Sequence, residues 1–135
     1  MLAGKWTYRS YLNNPALVGS DPQKALADIF GEGVVTLVVH GHDLTGTLDM
    51  GGGYFLDLKG HVANTHDVTT VTIRGFGRAG TPTDGWEYDY HCSPAYHWPK
   101  GVNQVASLLG TVFRAKPHNG EPAGVTASFI CVRQP

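Results

Sequence analysis

The chain has 135 residues, with 10 Lys and Arg set against 11 Asp and Glu, for a net charge of −1. That length suits one domain, here residues 1–135, and is enough to bury a core without staples. The near balance of charge, with no Lys or Arg run, excludes the electrostatic footprint of a nucleic-acid binder, and no stretch approaches the ~20 apolar residues of a membrane-spanning helix.

The first residues, Met1-Leu2-Ala3-Gly4-Lys5-Trp6, enter a strand pattern at once. A secretory leader would begin with a basic segment and a long apolar one, so the expected location is cytoplasmic. Over residues 5–12, Trp6, Tyr8 and Ser10 share one face and Thr7, Arg9 and Tyr11 the other, the period-two signature of a strand. Next comes a helix signal. Ser20-Asp21-Pro22 supplies a capping side chain and a proline for the first turn, and Ala25, Leu26, Ile29 and Phe30 recur at helical spacing before Gly31.

The second strand, residues 34–40, is a Val-rich run that reads as buried on both faces. The third, residues 44–50, alternates Leu44, Gly46, Leu48 and Met50 with Thr45, Thr47 and Asp49. Gly51-Gly52-Gly53 is a turn, because no helix follows it to receive a phosphate. The fourth strand, residues 54–62, sets Tyr54, Leu56 and Leu58 against Phe55, Asp57 and Lys59. The fifth, residues 68–76, is rich in Val and Thr, as strands prefer.

A Gly- and Pro-containing loop then leads to the sixth strand, residues 86–92, with Trp86, Tyr88, Tyr90 and Cys92 opposite Glu87, Asp89 and His91. The seventh, residues 105–116, is expected to bend near Gly110. Residues 117–122 form a turn, and the eighth strand covers residues 124–133. Short links between successive strands imply a meander, and eight meandering strands can close into an antiparallel up-and-down barrel that leaves no free edge. The fold expected is all-β, with one short helix between strands one and two.

Gly4-Lys5-Trp6 resembles the Gly-x-Trp signature at the first strand of the calycin superfamily, the barrels of lipocalins, fatty-acid-binding proteins and avidins. Those families place an Arg or Lys near the end of the last strand, packed across that Trp, and Arg133 stands at the matching place. The resemblance implies a structural clamp between Trp6 and Arg133, and a lid formed by the long first connection. It does not carry biotin over, since the paired Trp pattern of avidins is not present.

The aromatic face Tyr8, Trp86, Tyr88 and Tyr90 either fills a small barrel or lines a ligand site in it. The function expected is binding of an apolar or aromatic small molecule in the lumen, under a lid packed with Ala25, Leu26, Ile29 and Phe30. The alternative is a barrel enzyme of isomerase or cyclase type. It would have a polar lumen, an outer face covered by homo-oligomer contacts, and Asp89 or His91 as acid or base.

No cofactor and no metal are expected. His40-Gly41-His42 reads as a solvated turn, since zinc needs three or four convergent ligands. The loop His91-Cys92-Ser93-Pro94-Ala95-Tyr96-His97-Trp98 could hold a haem or copper but reads first as a loop anchored by its aromatics. Cys92 and Cys131 read as buried thiols in a reducing compartment, with a disulfide as the lesser alternative.

Overall fold

A computed structural model describes residues 2–14 and 19–135. Eight strands follow one another in an antiparallel meander: β1 (Gly4–Leu12), β2 (Ile29–His40), β3 (Asp43–Asp49), β4 (Phe55–Thr65), β5 (Val68–Gly77), β6 (Glu87–Pro94), β7 (Ser107–Arg114) and β8 (Thr126–Val132). Each pairs with the next, and β8 returns to β1 through Arg9–Ile130 and Ser10–Phe129, so the sheet is a closed barrel. The helix α1 (Pro22–Ala27) lies between β1 and β2.

Alternation decides the faces. Trp6, Tyr8 and Ser10 of β1 are buried, as are Tyr88, Tyr90 and Cys92 of β6 and Leu108, Val112 and Arg114 of β7, while the residues between them lie at intermediate or exposed positions. The apolar face is therefore the inner one, and the reading with a polar lumen is overturned. The second strand is also corrected. Val35 and Leu37 are buried, but Val38 is 45% exposed, because the outer wall carries no second layer.

The interior is narrow, and several strands meet it with a glycine. At Gly110, a Cβ would overlap the His91 carbonyl oxygen and crowd the Cys92 side chain. Only a residue without Cβ lets β7 approach β6 this closely.

The helix begins as its signals imply. The Asp21 carboxylate accepts from the Gln23 N–H at 3.0 Å, with Pro22 in the first turn. It ends earlier than its apolar spacing suggested, because Ile29 and Phe30 belong to β2, where Ile29 pairs with Tyr11. Pairing with β1 gives that backbone a ladder, which outweighs the helical period. None of the helix residues is buried, and Leu26 is 58% exposed. The expected lid of Ala25 and Leu26 over the barrel is not formed by these residues. Residues 15–18 of the same connection lie outside the described residues.

At the end bearing the β2–β3 and β4–β5 turns, Trp6 is 2% exposed and its indole N–H donates to the Leu2 carbonyl at 2.9 Å. The Arg133 guanidinium lies 5.3 Å from the Trp6 ring centroid, within cation–π range. The same guanidinium explains Gly4, where φ is +127° and a Cβ would stand 2.7 Å from Arg133 Nη2. Trp6→Ala is expected to cost ~3–5 kcal/mol, the range for truncating a large buried aromatic. Arg133→Ala should cost ~0.5–2 kcal/mol, the range for the cation–π contact. Urea denaturation of both variants checks the order; an unchanged midpoint for Trp6→Ala would refute this packing.

Candidate functional site

The lumen differs between its two ends. In the half nearer Trp6, residues such as Leu37, Leu58, Ile73, Leu108 and Phe129 leave a void of about 20 Å³ with wholly apolar walls. A dry apolar void of that size offers a water no partners. At the other end, where the β1–β2, β3–β4, β5–β6 and β7–β8 connections gather, the barrel opens into a cavity of about 260 Å³. Its aromatic wall is Tyr54, Trp86, Tyr88 and Phe30, with Met50 and Leu56 beside them. Space comes from small residues on the facing strands, Ser10 and Gly31.

Local structure explains how the aromatic wall is held. The loop between β5 and β6 is pinned by Thr83, a fully buried residue whose hydroxyl donates to the Phe55 carbonyl at 2.6 Å. That anchor sets Trp86 at the rim, where the Trp86 N–H donates to the Thr83 carbonyl and the Gly77 N–H to the Trp86 carbonyl. Across the opening, Asn119 and Gly120 both have positive φ, 51° and 78°. An Asn-Gly pair of this kind makes a tight hairpin turn whose twist matches its strands. The turn brings His118 opposite Glu121 and stacks the His118 ring on Trp86, with centroids 3.9 Å apart and planes 15° apart.

A hydrogen-bonded chain runs along this wall. Arg114 Nε donates to the Tyr88 hydroxyl at 3.1 Å, and Arg114 Nη1 donates to the Pro122 carbonyl at 3.0 Å. The Tyr88 hydroxyl and His118 Nε2 lie 2.6 Å apart. Burial, reinforced by the Arg114 charge, moves the His118 pKa below its ordinary value, with Glu121 opposing, so its ring is neutral at neutral pH. Deeper in, burial pushes the Tyr8 and Tyr90 phenols well above the ordinary range. These two pack edge to face at 6.0 Å and both contact Phe129.

The structure brings Tyr8, Trp86, Tyr88 and Tyr90 together on the cavity wall. It places Asp89 and His91 on the outer wall: Asp89 faces Arg74 at 3.9 Å, and His91 is exposed and stacks on Phe113. Neither lines the mouth cavity. The residues that sequence reasoning passed over are Arg114 and His118. Arg114 follows Leu108, Gly110 and Val112 at alternate positions, so a charged residue at an inward position was the available signal. For His118 the signal was the Asn-Gly hairpin. In the loop after β6, Tyr96 and Trp98 are 70% and 65% exposed and contact each other. Among the described residues, no group of three His, Cys, Asp or Glu side chains is placed to hold a metal. Cys92 and Cys131 are free, and burial pushes both thiols up to about 12, which makes them unreactive.

No protein-family model, no curated protein and no solved structure matches the chain.

The Tyr88 hydroxyl is the acceptor for a buried guanidinium. Tyr88→Phe keeps the ring and leaves Arg114 Nε without that partner, so it should destabilise the protein by about 1–3 kcal/mol. Chemical denaturation checks this, and an unchanged stability would show that the shared hydroxyl does not hold Arg114 in place.

Proposed function

We propose that this protein binds a small apolar or aromatic molecule in the open end of its barrel. The observation that carries this reading is the asymmetry of the lumen: one half is packed nearly solid, and the other keeps about 260 Å³ behind an aromatic wall. A barrel needing only a core would have no reason to set Trp86, Tyr88, Tyr54 and Phe30 around an opening, because apolar surface left unburied forgoes about 25 cal/mol per Å². The cavity is smaller than sites for drug-sized ligands. At ~30 Å³ per water it has the volume of about nine waters, which suits a single-ring compound.

The Gly4-x-Trp6 pair beneath Arg133, on an eight-stranded antiparallel barrel, supports placing the chain with calycin-type binding barrels. An isomerase or cyclase reading would have to draw on Tyr88 and His118, since Asp89 and His91 stand outside the lumen.

Filling the cavity from its half-buried rim tests the reading while leaving the fully buried core residues in place. Indole titrated into the wild-type protein should give saturable heat in calorimetry at millimolar concentration or below. Met50→Trp, which puts a larger ring at the half-buried rim, should abolish that binding while the barrel stays folded. Binding that survives in a folded Met50→Trp variant would move the site elsewhere, and no indole binding to the wild type would remove the proposal's support.

A further inference from the structure

Arg114 raises a question that its neighbours do not answer. Its residue is 6% exposed, and a guanidinium is charged at every working pH. A buried charge is costly unless it is paired and its hydrogen bonds are met. Ion pairs among the described residues join Arg9 to Glu32, Arg74 to Asp89, Arg78 to Asp57, Lys116 to Glu87 and His61 to Asp43; none includes Arg114. The acids near this end are engaged elsewhere: Asp57 grips Arg78, Glu87 faces Lys116, and Asp49 accepts from the Gly51 N–H. Glu121 is exposed on its turn.

The hydrogen-bond inventory points the same way. A guanidinium has five N–H groups and no acceptor. Arg114 uses Nε on Tyr88 and Nη1 on Pro122, so these bonds engage two of the five N–H groups of a side chain that lines the cavity. Tyr88 and His118 also leave a donor unmet. If Tyr88 donates to His118 Nε2, the proton of the neutral ring is on Nδ1, which is buried without a partner. If the ring instead donates through Nε2, the Tyr88 hydroxyl accepts from both neighbours and its own proton has no protein acceptor, while Nδ1 becomes a buried acceptor without a partner. In either tautomer the wall carries more donors than acceptors, beside a positive charge, facing an apolar aromatic cavity.

We propose that the mouth cavity takes an aromatic monocarboxylate, with its carboxylate on Arg114 and the Tyr88–His118 pair and its ring against Trp86, Phe30 and Met50. This rests on the binding reading above and names the chemical class of the ligand. With Nε on Tyr88 and one Nη1 N–H on Pro122, the second Nη1 N–H and its neighbour on Nη2 form the end of the planar fork that matches the two oxygens of a carboxylate. The cavity wall carries Arg114 as its one permanent cation and no lysine, which matches a monoanion better than a dianionic phosphate. Phe30 and Tyr88 flank the guanidinium at 5.2 and 5.8 Å from their ring centroids, so the fork is held in place before a ligand arrives.

The test compares phenylacetate with phenylacetamide, which has the same shape without the charge. Both are titrated into the full chain and followed by proton–nitrogen correlation spectra that include the Trp86 indole and Arg114 Nε signals. The acid is expected to bind about tenfold or more tightly than the amide, as a charge-assisted pair should, with the largest shifts at Trp86 and Arg114. Arg114→Met should bring the acid down to the level of the amide or below it. Should that variant not fold, Arg114→Lys, which keeps the charge and loses the fork, should cut the preference severalfold. Equal affinities in the wild type, or a tighter amide, with both compounds shifting Trp86, would overturn the carboxylate assignment and leave the binding site standing. Failure of both compounds to shift the mouth residues would overturn the site itself and this inference with it.

Discussion

Closing eight strands on themselves fixes how much side chain the interior must hold, and the character of this protein depends on how that volume is distributed. Toward the β2–β3 turn, Trp6, Leu37, Leu44 and Leu108 fill the space, and Trp6 is covered by Arg133. Toward the other end the inward positions of β1 and β2 shrink to Ser10 and Gly31, so Tyr88 borders an opening beside Trp86 while Tyr90, deeper in, packs on Tyr8 and Phe129. Closure also leaves no sheet edge, so the difference between the ends lies in the side chains, in their size and in the polar chain of Tyr88, Arg114 and His118 at the open end. Glycines at close backbone approaches, Gly110 above all, let neighbouring strands meet without pushing the walls apart.

Much of this was legible in the chain. Period-two alternation placed Trp6, Tyr8 and Ser10 on one face, and Tyr88, Tyr90 and Cys92 on another, because side-chain direction in a strand is strictly alternating. The Val-rich second strand misled, since Val38 looks like core in sequence as Val35 and Val39 do, yet a single-layer barrel wall leaves its face in water while Val39 packs inward. The helix signal was sound at Asp21-Pro22 and wrong at Ile29 and Phe30, where pairing with a distant strand decided the conformation. Residues whose burial arises from the fold were harder. Arg114 and His118 come from the last third of the chain and meet Tyr88 and Trp86 only when β6, β7 and the following hairpin assemble. Asp89 and His91 attracted notice as chemistry-bearing residues, but their alternation with Tyr88 and Tyr90 sends them outward.

The mouth is also where electrostatics and stability are linked. Holding Arg114 among neutral partners costs desolvation energy, which two hydrogen bonds and two aromatic faces offset. Under the proposed reading, a carboxylate that completes its pairing would bind the folded state alone, and its free concentration over its dissociation constant would set the stabilisation. The neutral His118 beside it fits the same picture, since a second positive charge would add repulsion in a site already short of acceptors. Trp86 is held by backbone bonds to Thr83 and Gly77 and by the His118 ring, so this wall is prepared before anything binds.

The most direct test of the account is a crystal structure of the protein soaked with para-bromobenzoate, in which anomalous scattering locates the bromine independently of any model bias. The account predicts a bromine peak inside the open end of the barrel, among Trp86, Phe30 and Met50, with the carboxylate density on the Arg114 guanidinium. A bromine peak confined to the exposed Tyr96–Trp98 loop or the outer wall, with the mouth holding only water, would contradict it.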